Sequence, residues 1–145
     1  MSTRIGWGVC LTLVVTVLVV AGCAGMDKPP ASSPLPPAKA LQTGDLAGLA
    51  GEWHGTLRGV GTSGPLPGRT ANARVTVAPD GSFTSNIDGT PGVGKGWIEG
   101  GKIRFEGSTT RGTATLHEGG GRRVIVGEGT WVGFEGNSAF ELTKR

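Results

Sequence analysis

Apolar and polar residues alternate with a period of two through most of the chain after residue 50. The clearest runs lie at 70–77, 83–88, 102–106, 111–117 and 140–143. Glycine-rich or Pro-Asp-Gly turn signals separate them, as at 79–81, 100–101, 119–121 and 135–137. One apolar and one polar face per strand is typical of an antiparallel sheet. The pattern predicts eight strands, at 51–58, 69–78, 82–88, 94–99, 102–107, 111–118, 122–128 and 138–144.

The short, regular spacing of these strands favours an all-β antiparallel meander. We expect about eight strands to close into a small barrel, because closure removes exposed sheet edges; a β sandwich stays open as an alternative. Glycine accounts for 28 of 145 residues, which argues against a helical bundle. A short helical turn capped by Asp45 is predicted just before the first strand. A membrane-spanning barrel is disfavoured, because the second face carries several charged residues, among them Arg74, Lys102 and Arg104.

The first 23 residues have the pattern of a secretory signal. Arg4 precedes an apolar run at 9–20, and small residues follow it. The run ends in Val20-Ala21-Gly22-Cys23, which resembles the lipobox of bacterial lipoprotein precursors. An uncleaved transmembrane helix over residues 5–24 and a plain secretory signal remain alternatives.

The lipobox resemblance implies a chemical fate for Cys23. In that family the thiol takes a diacylglyceryl group, cleavage occurs at the Gly22–Cys23 bond, and acyl chains such as palmitate anchor the mature protein to a membrane. Each buried CH₂ contributes about 0.8 kcal/mol, so two or three chains hold a domain firmly. Ala24 follows where the family's inner-membrane proteins have Asp, which implies sorting to the periplasmic face of the outer membrane.

Composition then divides the chain into three parts. Five of the nine prolines fall between residues 27 and 38, a composition typical of an extended spacer. We therefore expect a lipoprotein signal peptide at 1–22, a lipidated cysteine with a Pro-rich linker at 23–47, and a β-barrel-like domain at 48–145.

Gly51-Glu52-Trp53 stands at the start of the first predicted strand and resembles the G-x-W that opens lipocalins and related calycin barrels. The resemblance implies that Trp53 plugs the barrel floor and that a cavity mouth lies at the other end. Trp97 and Trp131 join Trp53 as candidate structural or ligand-contacting residues. A barrel of about eight strands has an interior filled by side chains or able to hold one small ligand.

Charge and loops limit the choice of partners. The net charge is only +3, and the basic residues form no dense stripe, which argues against nucleic-acid binding. Arg104, Arg111, Arg122 and Arg123 form either a basic patch or ordinary solvated charge. The Gly/Pro-rich loop at 59–68 matches the dinucleotide pattern G-x-G-x-x-G, and the loop at 88–94 begins a near-match to a phosphate-binding loop, but no helix is expected to follow either. These loops are instead candidate binding loops on a rigid scaffold.

No catalytic constellation emerges. His54 and His117 are the only histidines, and alternation places both on the solvent face. We assign no catalytic residue, metal ligand or cofactor, and expect a protein that is not an enzyme. The sequence predicts a membrane-anchored envelope lipoprotein whose barrel binds a small hydrophobic ligand, a glycan or an envelope protein. The alternative is a structural or interaction protein, or an inhibitor of a periplasmic enzyme.

Overall fold

The computed structural model describes residues 33–61 and 63–145. Over this part the chain forms a closed antiparallel barrel of eight strands plus one short extra strand. The strands are β1 (Ala38–Lys39), β2 (Gly51–Val60), β3 (Thr70–Val77), β4 (Ser82–Ile87), β5 (Thr90–Glu99), β6 (Lys102–Gly107), β7 (Thr110–Gly119), β8 (Arg122–Trp131) and β9 (Asn137–Lys144). A 3-10 helix spans Thr43–Leu49. The predicted meander and its closure are confirmed; the signal peptide and Cys23 lie outside the described residues.

Strand pairing follows chain order. Each strand from β2 to β8 pairs with the next, and β9 returns to β2, with Leu57 opposite Phe140. The extra strand β1 pairs with β7, with Ala38 opposite His117. It takes up the part of β7 that β6 leaves free, since β6 pairs with β7 only as far as Ala114. Part of the segment predicted as linker therefore extends the sheet.

Phenylalanine rings and glycines share the barrel interior. Three cross-strand pairs set a ring directly opposite a glycine: Phe83 with Gly94, Phe105 with Gly112, and Phe140 with Gly127. Phe105 and Phe140 also meet edge to face, with ring centroids 5.5 Å apart. The rings leave an apolar cavity of about 110 Å³. That space lies well below the roughly 300–1,000 Å³ of ordinary ligand pockets.

The 3-10 helix closes one end of the barrel, here called the closed pole. Leu46 and Leu49 line the interior cavity from that side, and Leu49 is buried. The prediction that Asp45 caps this helix is wrong. Gln42 is the N-cap, and Asp45, three residues on, reaches back to accept a hydrogen bond from the Gln42 N–H at 2.8 Å. A carboxylate at this third position satisfies a backbone donor that the helix itself leaves free.

The predicted long loop at 88–94 is also wrong. The β4–β5 turn contains only Asp88 and Gly89, both with positive φ (47° and 89°), and β5 begins at Thr90. Such a pair matches the right-handed twist of the strands it joins. The Asn86 and Asp88 side chains stabilise the turn by accepting hydrogen bonds from backbone N–H groups. Pro91 thus lies within a strand, opposite Asn86.

Candidate functional site

The end of the barrel opposite the 3-10 helix, here called the mouth, is formed by the connections β2–β3, β4–β5, β6–β7 and β8–β9, of which the structure describes residues 61, 63–69, 88–89, 108–109 and 132–136. A cleft of about 350 Å³ lies among them, within the usual size range of ligand sites. Its apolar wall includes Leu66, Ile87, Trp131, Val132 and Phe134, and its polar wall includes Arg69, Thr90, Ser108 and Thr109. The mouth cleft therefore combines apolar surface with hydrogen-bonding groups.

Trp131 gives the mouth cleft a distinctive polar group. The residue is only 7% exposed, and its indole Nε1–H has no hydrogen-bond partner within the part of the chain described. Gly64 packs against the same edge of the ring, since a Cβ there would lie 2.9 Å from Trp131 Cδ1. A buried donor without a partner costs about 1–3 kcal/mol. An oxygen atom that reached this N–H would recover that cost.

Two apolar side chains are exposed in the β8–β9 turn beside the cleft. Phe134 is 63% exposed and Val132 42%, although both also line the mouth cleft. An exposed apolar patch on a soluble surface often marks a place where another molecule binds. Sequence alternation gave no sign of these two residues, because they lie in a turn rather than in a strand.

Trp53 lies at the closed pole and is fully buried. Its Nε1–H donates to Leu49 O at 2.8 Å. The Arg123 guanidinium lies 5.9 Å and Lys144 Nζ 5.7 Å from the centre of its ring, within cation–π range. Arg123 and Lys144 also donate to Gly48 O, at 2.8 and 3.2 Å. The three side chains thus fasten the carbonyl end of the 3-10 helix to the barrel.

The ammonium group of Lys144 lies in an environment that disfavours its positive charge. Burial lowers the pKa of its ammonium group, and the positive charge of Arg123 lowers it further. Sequence reasoning did not identify Arg123 or Lys144 as partners of Trp53. The alternation did contain this information. Lys144 lies at the same parity as Phe140 and Leu142, and Arg123 at the same parity as Ile125. Residues two apart on a strand share a face, so both side chains were predictable as inward-facing.

The two histidines lie apart on the outer face. His54 Nε2 is 3.4 Å from Glu52 Oε2, and His117 Nδ1 is 2.9 Å from Pro36 O. Thr143 and Val124 lie between them in one cross-strand row. Three strand spacings separate the rings by about 14 Å along the sheet. Within residues 33–61 and 63–145, no group of three or more His, Cys, Asp or Glu side chains is placed to hold a metal ion.

The four arginines considered as a basic patch are dispersed. Arg104 donates to Glu99 at 2.8 Å, and Arg111 lies opposite Glu106 on the neighbouring strand. Arg122 and Arg123 begin β8 at the closed pole. There Glu118 is paired with Lys39 at 3.0 Å and lies 3.5 Å from Arg123. The Lys39 hydrogen bond, opposed by partial burial, lowers the pKa of the Glu118 carboxyl.

Trp97 lies on the outside of the barrel, where a second depression, here called the outer groove, has a volume of about 660 Å³. Trp97 is 42% exposed, in contrast to the buried Trp53 and Trp131. The groove crosses the outer face from β5 to β9 and reaches Val60 of β2. The three candidate tryptophans therefore occupy three separate places: the closed pole, the outer groove and the mouth.

In the part of the chain that the structure describes, no helix combines the length and the apolar character needed to cross a bilayer. No protein-family model, no curated protein and no solved structure matches the chain.

Proposed function

We propose that this chain is a bacterial envelope lipoprotein, anchored through Cys23, whose barrel is a non-catalytic binding domain with its site at the mouth. One observation carries the proposal: the chain reaches the barrel at the closed pole, opposite the mouth cleft. Pro36 O accepts from His117, and Pro34 O lies 3.5 Å from an Arg122 terminal nitrogen, both beside the β7–β8 turn. An anchor on this side leaves the mouth free.

The length of the intervening segment supports the same arrangement. Ten residues lie between Cys23 and Pro34. A fully extended chain of that length spans no more than about 40 Å. Lipid on Cys23 would thus keep Pro34 within about 40 Å of the membrane surface, and the attachment point would lie on the side of the barrel away from the mouth. The lipobox and the sorting expectation from Ala24 support an envelope membrane, with the outer membrane favoured over the inner membrane.

The ligand that best fits the mouth cleft is a small, largely apolar molecule that carries a hydrogen-bond acceptor. Leu66, Val132 and Phe134 supply the apolar contact, and the unpartnered Trp131 Nε1–H supplies the donor. The interior cavity of about 110 Å³ is too small for such a ligand. Binding would therefore occur at the rim, with the Phe-filled interior serving as its support.

Docking of an envelope protein is the second candidate function. The exposure of Phe134, at 63%, is the observation that favours it. Aromatic anchors that project from a rigid element are common centres of protein–protein contacts. The partner protein would then cover Phe134 and Val132. With a periplasmic enzyme as the partner, this chain would act as the inhibitor of that enzyme.

The anchor is tested by replacing Cys23 with Ser and fractionating the cells. We expect the variant to stay unprocessed and to lack the acyl chains that mass spectrometry detects on the wild-type protein. A Cys10→Ser variant is the matched control and should be processed normally. If Cys23→Ser matures and partitions like the wild type, the anchoring proposal is wrong.

The binding role is tested by native mass spectrometry of protein extracted from membranes in mild detergent. Trp131→Phe keeps an aromatic ring but removes the donor, and Phe134→Ser removes the exposed anchor. A co-purifying small molecule that Trp131→Phe loses supports the first candidate. A stoichiometric protein that Phe134→Ser loses supports the second. If neither is found, or if both variants retain everything the wild type retains, the mouth is not the binding site.

A further inference from the structure

Trp97 is the only one of the three tryptophans in the described barrel whose ring is substantially open to solvent, at 42% exposure. It projects outward from β5, since its neighbour Ile98 packs against the core. An exposed indole adds nothing to the apolar interior. It offers a large, rigid surface with low conformational freedom, a property that makes tryptophan common at binding sites.

The strand register builds an extended surface beside Trp97. One cross-strand row runs Trp97, Arg104, Thr113, Glu128, Ala139, Arg58. The adjacent outward row runs Lys95, Glu106, Arg111, Thr130, Asn137, Val60. Thr113, Thr130 and Ala139 have short side chains, whereas the arginines, glutamates and Trp97 are long. The short residues therefore form the floor of the outer groove and the long ones its walls.

The length of the groove indicates an extended ligand. From β5 to β2 through β9 there are five strand spacings, about 24 Å along the sheet. A single small molecule would occupy only part of this distance. Because six of the eight barrel strands take part, this path curves around the barrel, and a flexible chain of several units that follows it would contact Trp97 at one end and Asn137 at the other.

The charges of the groove are mixed and nearly balanced. Two arginines, Arg104 and Arg111, and three glutamates, Glu99, Glu106 and Glu128, line the groove. Lys95 and Arg58, at the ends of the two rows, add two positive charges, so the whole surface stays within about one charge of neutral. Such a surface does not favour a polyanion such as nucleic acid. It offers both donors and acceptors at close spacing, which suits an uncharged ligand with many hydroxyl groups.

Arg104 is the polar group directly opposite Trp97 in the strand register. Its Nε donates to Glu99 Oε2 at 2.8 Å, and this contact orients the guanidinium next to Trp97 on the adjoining strand. The terminal nitrogens are not needed for that pair and can donate to a ligand. A planar donor fork beside an exposed indole supplies stacking and hydrogen bonding at one place.

We propose that the outer groove binds a neutral oligosaccharide chain, with Trp97 stacking against one sugar ring and Arg104 donating to its hydroxyl groups. This site is separate from the mouth cleft and does not depend on the lipid anchor or on the mouth ligand. The ligand class follows from three features of the lining: an exposed indole, balanced polar groups and a length suited to a chain.

The test is isothermal titration calorimetry of the full-length protein, purified in detergent, with chitotetraose and cellotetraose as neutral oligosaccharides. We expect at least one of them to bind at micromolar to millimolar concentration. Trp97→Ala should weaken that binding at least tenfold, and Arg104→Met should weaken it several-fold. Val93→Ala is the matched control: it removes an exposed apolar side chain elsewhere on β5, outside the outer groove, and should leave the affinity unchanged.

Thermal unfolding should show that Trp97→Ala stays folded, since the side chain lies outside the core. Bound oligosaccharide should also reduce the quenching of tryptophan fluorescence by acrylamide in the wild type and not in Trp97→Phe. The proposal is overturned if neither tetrasaccharide binds, if Trp97→Ala binds as tightly as the wild type, or if only an anionic polymer such as heparin binds.

Discussion

The ring of Phe140 occupies the space into which a side chain at Gly127 would project. The two residues face each other across β8 and β9, on the inner side of the barrel. Phe83 stands in the same relation to Gly94, whereas the space beside Gly112 is occupied by the backbone of Glu128 and Gly129. The absence of a Cβ lets the aromatic rings lie close to the neighbouring backbone. The barrel is therefore filled by rings and strand backbone, which explains its small remaining cavity.

Gly127→Ala should destabilise the barrel. The added methyl group would collide with the Phe140 ring and would lie 2.8 Å from the Ala114 Cβ. Overpacking of this kind lowers the free energy of unfolding by about 1–3 kcal/mol, which chemical denaturation measures. Gly44→Ala is the control, because nothing lies within 4 Å of that position and the stability should change little. Equal stability of the two variants would contradict the proposed packing.

Trp53→Phe should loosen the closed pole. The substitution keeps an aromatic ring but leaves Leu49 O without its hydrogen bond. A buried group that loses its partner costs about 1–3 kcal/mol, which should appear in the free energy of unfolding. Trp97→Phe, on the outer face, should change the stability by no more than about 0.5 kcal/mol. A larger loss for Trp97→Phe than for Trp53→Phe would refute the structural role of Trp53.

The contribution of Lys144 to the stability of the protein should rise as alkaline pH approaches the ordinary pKa of lysine. Lys144 has a lowered pKa in the folded state, so just below 10.5 the unfolded chain binds more protons than the folded one. Raising the pH through that window therefore favours folding at this site. Denaturation series at increasing pH should show the wild type gaining stability relative to Lys144→Gln. A difference that does not change with pH would be inconsistent with the burial of this amine.

The hydrogen bonds in the turn between β3 and β4 can be tested through the pKa of Asp80. Asp80 accepts a hydrogen bond from the Ser82 hydroxyl at 2.6 Å and another from the Ser82 N–H at 3.0 Å. These bonds lower the pKa of the Asp80 carboxyl below its usual 3.8. Ser82→Ala should raise that pKa toward 3.8 in an NMR titration, because one of the two donors is lost. Thr84→Ala, a control on the same strand, should leave the Asp80 titration unchanged.

The barrel was predictable because alternation of apolar and polar residues directly encodes the two faces of a strand. All eight predicted strands correspond to β2–β9; β5 begins four residues before its predicted start, and the other ends shift by at most three residues. The prediction of a loop at 88–94 failed because the turn geometry and the strand pairing, rather than the side chains, determine the backbone conformation there. Pro91 and its glycine neighbours resemble a loop in sequence, yet the Asp88-Gly89 turn and the pairing with β4 make them a strand.

The site was harder to predict than the fold. Four connections that are distant in sequence meet at the mouth, and no local pattern specifies that Leu66, Thr109 and Phe134 share a cleft. The outer groove depends in the same way on the register of six strands. The G-x-W resemblance at 51–53 identified Trp53 as a structural candidate. Its contacts with Arg123 and Lys144 required knowledge of which strands lie side by side.

The closed pole holds both Pro34 and Arg145, whose N–H donates to Glu52 O at the start of β2. A fluorescent reporter or affinity tag fused after Arg145 would therefore project from the same side as the spacer. Such a fusion would leave the mouth cleft and the outer groove unobstructed. A protein immobilised through it would expose both sites to a ligand in solution.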